Sequence, residues 1–313
     1  MKAKPSLNWH NTLILTDVTL RDGLQAESQI ISLDHKLELL NLLSNCQFSR
    51  LEITSFVNPK WIPQLSDSEK LCEAWFKKQH SQETMAFVPN VKGCERLLKF
   101  PISWVSCFVA ASSTFNQKNI NASIEDTLKE LEGVISLSKS QNRKTRVYIS
   151  TVWGCPYENE IDLQKLESLF QRVSQLNANE IALSDTIGVA TPAAVKKVLN
   201  VSAKYFPLSK TALHFHNTYG FALANIQAGL EMGVESFDGS LGGVGGCPYA
   251  KGATGNAASD DIRNLLFREN KVASFPKKEI EVALKFLKEK LGLTLHSSLA
   301  NIQEKGGTWY GLH

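Results

Sequence analysis

Short, nearly unbroken apolar runs alternate along this chain with longer stretches in which apolar residues recur every three or four positions. The short runs, at 12–18, 50–54, 84–89, 103–110, 146–152, 180–185, 211–216 and 236–241, predict strands. The longer ones, among them 33–45, 65–79, 124–140, 162–176, 192–205 and 218–232, predict helices. Two helix starts are marked: Ser123 precedes a periodic run, and Thr191-Pro192 reads as an N-cap with proline at the first helical position. Strands that are apolar throughout, alternating with helices, predict parallel strands covered on both faces. Eight strand–helix units within about 270 residues predict an α/β fold, a (β/α)8 TIM barrel. A doubly wound open sheet is the alternative, but no G-x-G-x-x-G follows the first strand. Residues 1–270 would form the barrel. Residues 271–313 would form an extension packed on it, with a helix over 277–291 and the tail GGTWYGLH covering the bottom or rim or meeting a second subunit.

Composition narrows the classes. At 43% hydrophobic and 21% charged, the 313 residues are ordinary for a globular protein. A net charge of +3 with no basic block gives nucleic-acid binding little support. Six cysteines, at 46, 72, 94, 107, 155 and 247, form neither a C-x-x-C knuckle nor a disulfide-like spacing, which predicts reduced thiols and a cytoplasmic location. The first residues, MKAKPSLNWHN, have no signal-peptide core, and no apolar run approaches the ~20 residues of a membrane span.

Chemistry in a barrel gathers at the C-terminal ends of the strands. The predicted ends carry Thr19-Leu20-Arg21-Asp22-Gly23-Leu24-Gln25, then Glu52-Ile53-Thr54-Ser55, Ser184-Asp185-Thr186, and His214 with His216. Residues i and i+2 of a strand share a side, so the two imidazoles could hold a metal or be ordinary residues of a half-buried strand. The other residues have equally plain readings. Arg21-Asp22 could be a local ion pair, Glu52 a solvated carboxylate, Asp185-Thr186 a helix cap, Cys247 a small buried hydrophobe and Asn256 a turn residue. Hydrolase barrels with H-x-H carry it on the first strand; here it lies on the seventh. With Asp22 and Asn256 the set would be two nitrogens and two oxygens without thiolate, which suits magnesium or manganese. Residues 239–255 hold seven glycines in seventeen positions, a composition for close backbone approach to a ligand or for a moving lid.

Taken together, TLRDGLQ (19–25), LEITSFVNPKWIPQL (51–65), SSTFNQKNINAS (112–123), GCPY (154–157), SDTIG (184–188), HFHNTYG (214–220) and GGVGGCPYAKGATGN (242–256) resemble the 3-hydroxy-3-methylglutaryl-CoA lyase family, in order over about residues 12–265. The resemblance implies cleavage of a 3-hydroxyacyl-CoA to acetyl-CoA and a ketoacid, as in leucine degradation and ketone-body formation. It implies Asp22, His214, His216 and Asn256 as ligands of a divalent metal, Mg or Mn. Arg21 would stabilise charge on the thioester oxygen, and Cys247 would protonate the departing enolate. Asp22, Glu52, Asp185 and His214 form the pool for the hydroxyl proton, and Gln25 and Ser55 would orient substrate. The enolate needs an electron sink, and no candidate strand end offers the lysine of an imine mechanism, so a cation is the consistent alternative. The partner is then a small acyl-CoA thioester, with no nucleic acid or membrane, and the expected assembly is a homo-oligomer, a dimer foremost. Asn217, Ser184, Ala26 and Val244 depart from the family's aspartate, glycine, asparagine and leucine, and leave the acyl group open. A Claisen-type synthase or ketoacid aldolase on the same barrel is the alternative reading, and a non-catalytic binding protein is a third.

Overall fold

Eight parallel strands close on themselves in chain order: β1 (Ile14–Asp17), β2 (Arg50–Ser55), β3 (Glu83–Phe87), β4 (Trp104–Ala110), β5 (Lys144–Ser150), β6 (Glu180–Asp185), β7 (Thr211–Phe215) and β8 (Ser236–Gly239), with β8 pairing back to β1. This is the (β/α)8 barrel, seen in a computed structural model that describes residues 13–246 and 255–312. The helices are α1 (Leu33–Asn45), α2 (Ser68–Trp75), α3 (Val91–Leu97), α4 (Ser113–Ile120), α5 (Ile124–Ser140), α6 (Leu163–Gln175), α7 (Pro192–Ser202), α8 (Ala222–Met232), α9 (Ser259–Arg268), α10 (Lys277–Glu289) and α11 (Ser298–Glu304).

Each strand lies within two residues of the run that predicted it, α1, α5 and α7 begin where their patterns do, and α6 begins one residue later, after its N-cap Asp162. Ser123 and Thr191 cap α5 and α7, each accepting a backbone N–H three residues on. Three features differ. The pattern over 65–79 yields only α2, because residues 63–65 form a tight turn led by Pro63. The pattern over 218–232 starts late, because Asn217 Oδ1 takes the Ala222 N–H and Gly220 has φ +80°, so residues 217–220 form a turn. Periodicity missed α3, α4, α9 and α11, which have ten residues or fewer and too few turns for an apolar stripe.

The main apolar core lies between the strands and the helices, with Leu39, Phe170, Phe215 and Phe237 among its fully buried members. The barrel interior is different in kind. Instead of branched aliphatics it holds Arg50, Arg146, Glu180 and Asp238, each at most 5% exposed, beside a small cluster of Met85, Trp104, Tyr148, Ala182 and Ala212. After the barrel, α10 packs on α1, where Phe286 meets His35 edge to face. The Asp261 carboxylate takes the N–H groups of Ser298 and Leu299 at the start of α11, and Trp309 Nε1 donates to Leu299 O at 2.9 Å. No helix among the described residues is long and apolar enough to cross a membrane.

Candidate active site

A cavity of about 1070 Å³ opens at the C-terminal ends of the strands. Arg21, Asp22 and Gln25 line it from the segment after β1, Ser184 from β6, and His214 and His216 from β7 and its end. Val57, Trp61, Phe87 and Phe108, from β2, β3, β4 and the connections after them, give it an apolar wall.

The turn after β1 explains how two consecutive side chains reach one pocket. The amides of Arg21, Asp22 and Gly23 all point at Val18 O, a tight π-type turn over Thr19–Gly23. Asp17 holds its start: one carboxylate oxygen takes the Thr19 N–H at 3.0 Å and the other takes Ser259 Oγ at 2.6 Å. Burial pushes the Asp17 carboxyl up to about 6, against these hydrogen bonds. Thr19 Oγ1 in turn accepts the Leu241 N–H, joining this turn to the glycine-rich segment.

The Arg21 guanidinium is fully committed in direction. Its Nε and Nη2 both lie 2.6 Å from Glu52 Oε2, and Nη1 pairs with Asp22 Oδ1. Glu52 is 1% exposed and is itself fixed, since Ser106 Oγ donates to Oε1 at 2.5 Å and the Tyr148 hydroxyl to Oε2 at 3.4 Å. The rings of Phe87 and Tyr148 lie 5.7 and 5.5 Å from Arg21 Cζ, which adds cation–π contacts. Burial works against the charge on Arg21, but Glu52 and Asp22 outweigh it and hold the guanidinium above its ordinary value.

His214 and His216 share a side of β7, with ring centroids 5.5 Å apart. Asn256 reaches them through backbone pairing: Asn217 N–H donates to Gly255 O, Ala257 N–H to Phe215 O, and His216 and Asn256 form an antiparallel bridge. Gly245, at φ +118°, makes room for this, because a Cβ there would lie 2.8 Å from Asn256 Nδ2. Asp22, His214 and His216 each bring one ligand atom within 4.8 Å of the others. Asn256 Nδ2 donates to Asp22 Oδ2 at 3.0 Å.

The donor set fits a divalent cation. His216 Nδ1 and Asn256 Oδ1 are buried and have no hydrogen-bond partner among the described residues, a costly state unless something else binds there. Burial, and then the neighbouring His214, lowers His216 to about 4, so at neutral pH it is an uncharged imidazole with a lone pair. Burial alone would raise the Asp22 carboxyl, but Arg21, His214 and His216 hold it well below the usual carboxylate range. Two imidazoles with carboxylate and amide oxygens suit a hard or borderline ion.

The structure thus brings together Arg21, Asp22, Glu52, His214, His216 and Asn256. Gln25 is exposed at the cavity mouth. Asp185 is turned to its own backbone: its carboxylate takes the N–H groups of Val189 and Ala190 at 3.0 and 2.9 Å, and burial raises it to about 6. Ser55 does not line the cavity, and its Oγ is buried without a hydrogen bond among the described residues. Cys247 lies outside the described residues. Sequence reasoning missed Ser106, Tyr148, Asp238 and Phe87. The signal for Asp238 was present, a charged residue in a strand that parallel packing buries on both faces.

The sequence model of the HMGL-like family matches residues 12–282. Hydroxymethylglutaryl-CoA lyase YngG of Bacillus subtilis is 41% identical over 283 residues, covering 90% of this chain and 94% of that protein. The 3-hydroxy-3-isohexenylglutaryl-CoA/hydroxymethylglutaryl-CoA lyase of Pseudomonas aeruginosa is 41% identical over 260 residues, covering 83% and 86%. The crystal structure of the B. subtilis HMG-CoA lyase superposes with a TM-score of 0.89 at 39% identity, over 93% of this chain and 98% of that one. With the barrel in place and this similarity running along nearly its whole length, the chain belongs to the HMGL-like family, with the hydroxymethylglutaryl-CoA lyases as its relatives.

Proposed function

We propose that this chain is a divalent-metal-dependent carbon–carbon lyase that cleaves 3-hydroxy-3-methylglutaryl-CoA to acetyl-CoA and acetoacetate. The observation that carries the reading is the meeting of Asp22, His214 and His216 beside Arg21 in one cavity mouth. A Mg or Mn ion held by these three ligands and Asn256 would place positive charge beside the substrate's oxygens.

The protein's own groups do the rest. Loss of the 3-hydroxyl proton lets the C2–C3 bond break, leaving a ketone on one fragment and a thioester enolate on the other. Of the four groups in the proton pool, Glu52 anchors Arg21 and Asp185 serves its own turn, and His214 would give its lone pair to the metal, which leaves Asp22, in the cavity lining, to take the proton. Arg21, aimed by Glu52, balances negative charge on the thioester oxygen. Cys247 gives its proton to the enolate carbon, completing acetyl-CoA. A thiol of ordinary pKa, about 8.5, is protonated at neutral pH and can act as this acid.

We further assign residues 271–313 as a helical extension of the barrel, the chain to the cytoplasm, and the assembly to a homodimer. The exposed Val282 of α10 and Ile302 of α11 support a partner surface on that extension.

The test is to incubate purified protein with a panel of acyl-CoA thioesters and follow released acetyl-CoA. The panel includes 3-hydroxy-3-methylglutaryl-CoA and, because of the apolar wall, a longer 3-substituted analogue. Turnover should vanish on exhaustive chelation and return with Mg²⁺ or Mn²⁺. Full turnover after chelation, or no acetyl-CoA from any thioester, would overturn the proposal.

A further inference from the structure

The two imidazoles of the site are not equivalent. His216 Nδ1 has no hydrogen-bond partner among the described residues. His214 Nδ1 lies 3.3 Å from Oδ2 of Asp238, its register partner on β8. Asp238 is 1% exposed, and its other oxygen, Oδ1, accepts from Arg146 Nη2 at 2.8 Å. Arg146 is fully buried and forms a second ion pair, Nε to Glu180 Oε2 at 3.1 Å. The same Glu180 oxygen takes Arg50 Nη1 at 2.9 Å, and Glu180 Oε1 takes Ser236 Oγ at 2.8 Å. A chain of alternating charge therefore runs through the barrel interior and ends on one candidate metal ligand.

We propose that Asp238 is a positioning residue that fixes His214 as the Nδ1–H tautomer, with Arg146 fixing Asp238. This rests on the metal reading above. A carboxylate is an acceptor only, so Nδ1 must carry the proton for the contact to be attractive. The lone pair is then at Nε2, which faces Asp22, with Oδ2 at 3.9 Å. His214 is thereby ready to ligate without rearrangement, whereas His216 Nδ1 has no carboxylate among the described residues to set its tautomer. Carboxylates behind ligating histidines orient the ring and raise its basicity.

The substitution Asp238→Asn keeps the shape and reverses the chemistry. Arg146 offers only donors, so the new amide must turn its oxygen to Nη2 and its NH2 to His214 Nδ1. That arrangement drives the imidazole proton to Nε2, the nitrogen needed for the metal. Titration of metal-depleted protein with Mn²⁺ alone, read by electron paramagnetic resonance, should show roughly 10- to 100-fold weaker binding in Asp238→Asn. Nitrogen-15 spectra of the metal-free wild type, with His214 assigned by its substitution, should show Nδ1 protonated, and the variant should show Nε2 protonated. A purely structural role would lower the stability of the metal-free variant and move neither readout. Wild-type uptake of Mn²⁺ with equal affinity in the variant overturns this proposal alone, as does a wild-type His214 protonated at Nε2. A wild type that takes up no Mn²⁺ overturns the metal reading and this proposal with it. If Asp238→Asn does not fold, the wild-type tautomer decides.

Discussion

Alanine in place of Cys247 is expected to lower kcat by roughly 10²- to 10⁴-fold, the range supplied by a positioned general acid. Mn²⁺ affinity should stay at the wild-type level, because the proposed ligands are Asp22, His214, His216 and Asn256. The two cysteines in GCPY contexts, Cys155 and Cys247, make an internal control. Cys155 is 1% exposed, sits 3.0 Å from Ser112 Oγ, and does not line the cavity. Gly246, the residue before Cys247, does line it. Cys155→Ala should therefore retain turnover while Cys247→Ala loses it. Steady-state kinetics on both variants, with metal affinity measured alongside, separates acid catalysis from ligation. Retained turnover in Cys247→Ala would move the acid to another residue.

Arg21→Met should lower kcat by roughly 10²- to 10³-fold, as for removal of one preorganised donor to a developing oxyanion. Arg21→Lys should restore little. Lysine is a single point charge and cannot hold Glu52 with two nitrogens while also reaching Asp22, as the guanidinium does. Glu52 would then be left as a buried carboxylate, with only Ser106 and Tyr148 among the hydrogen bonds named above. The loss should fall on kcat more than on KM, because the charge Arg21 answers develops during bond cleavage. A lysine variant with near wild-type kcat would remove the oriented guanidinium from the account.

Much of this arrangement was legible in the sequence. The eight strands were visible because parallel strands covered on both faces read as continuous apolar runs, and the helices were visible wherever three or more turns allowed an apolar stripe. The pocket was visible because a barrel brings strand ends together, so Arg21, Asp22, Glu52 and the two histidines could be grouped without coordinates. Asp185 and Ser55 looked alike as strand-end polar groups. Sequence cannot show that the Asp185 carboxylate is occupied by Val189 and Ala190, or that Ser55 misses the cavity. The layer behind the pocket was missed for another reason. Ser106, Tyr148 and Asp238 act through side-chain contacts 54, 96 and 24 residues away in sequence, and local pattern carries no register across so many strands.

Asp22 from the turn after β1, His214 and His216 from β7 and its end, and Asn256 from the segment before α9 are proposed to form one metal site. Its most direct test is a Mn²⁺ titration of metal-depleted protein, followed by paramagnetic resonance, on the wild type and on His216→Ala. The wild type should bind one ion per chain, and the variant should lose that binding. Binding of equal stoichiometry and affinity in His216→Ala, or none in the wild type, would contradict it.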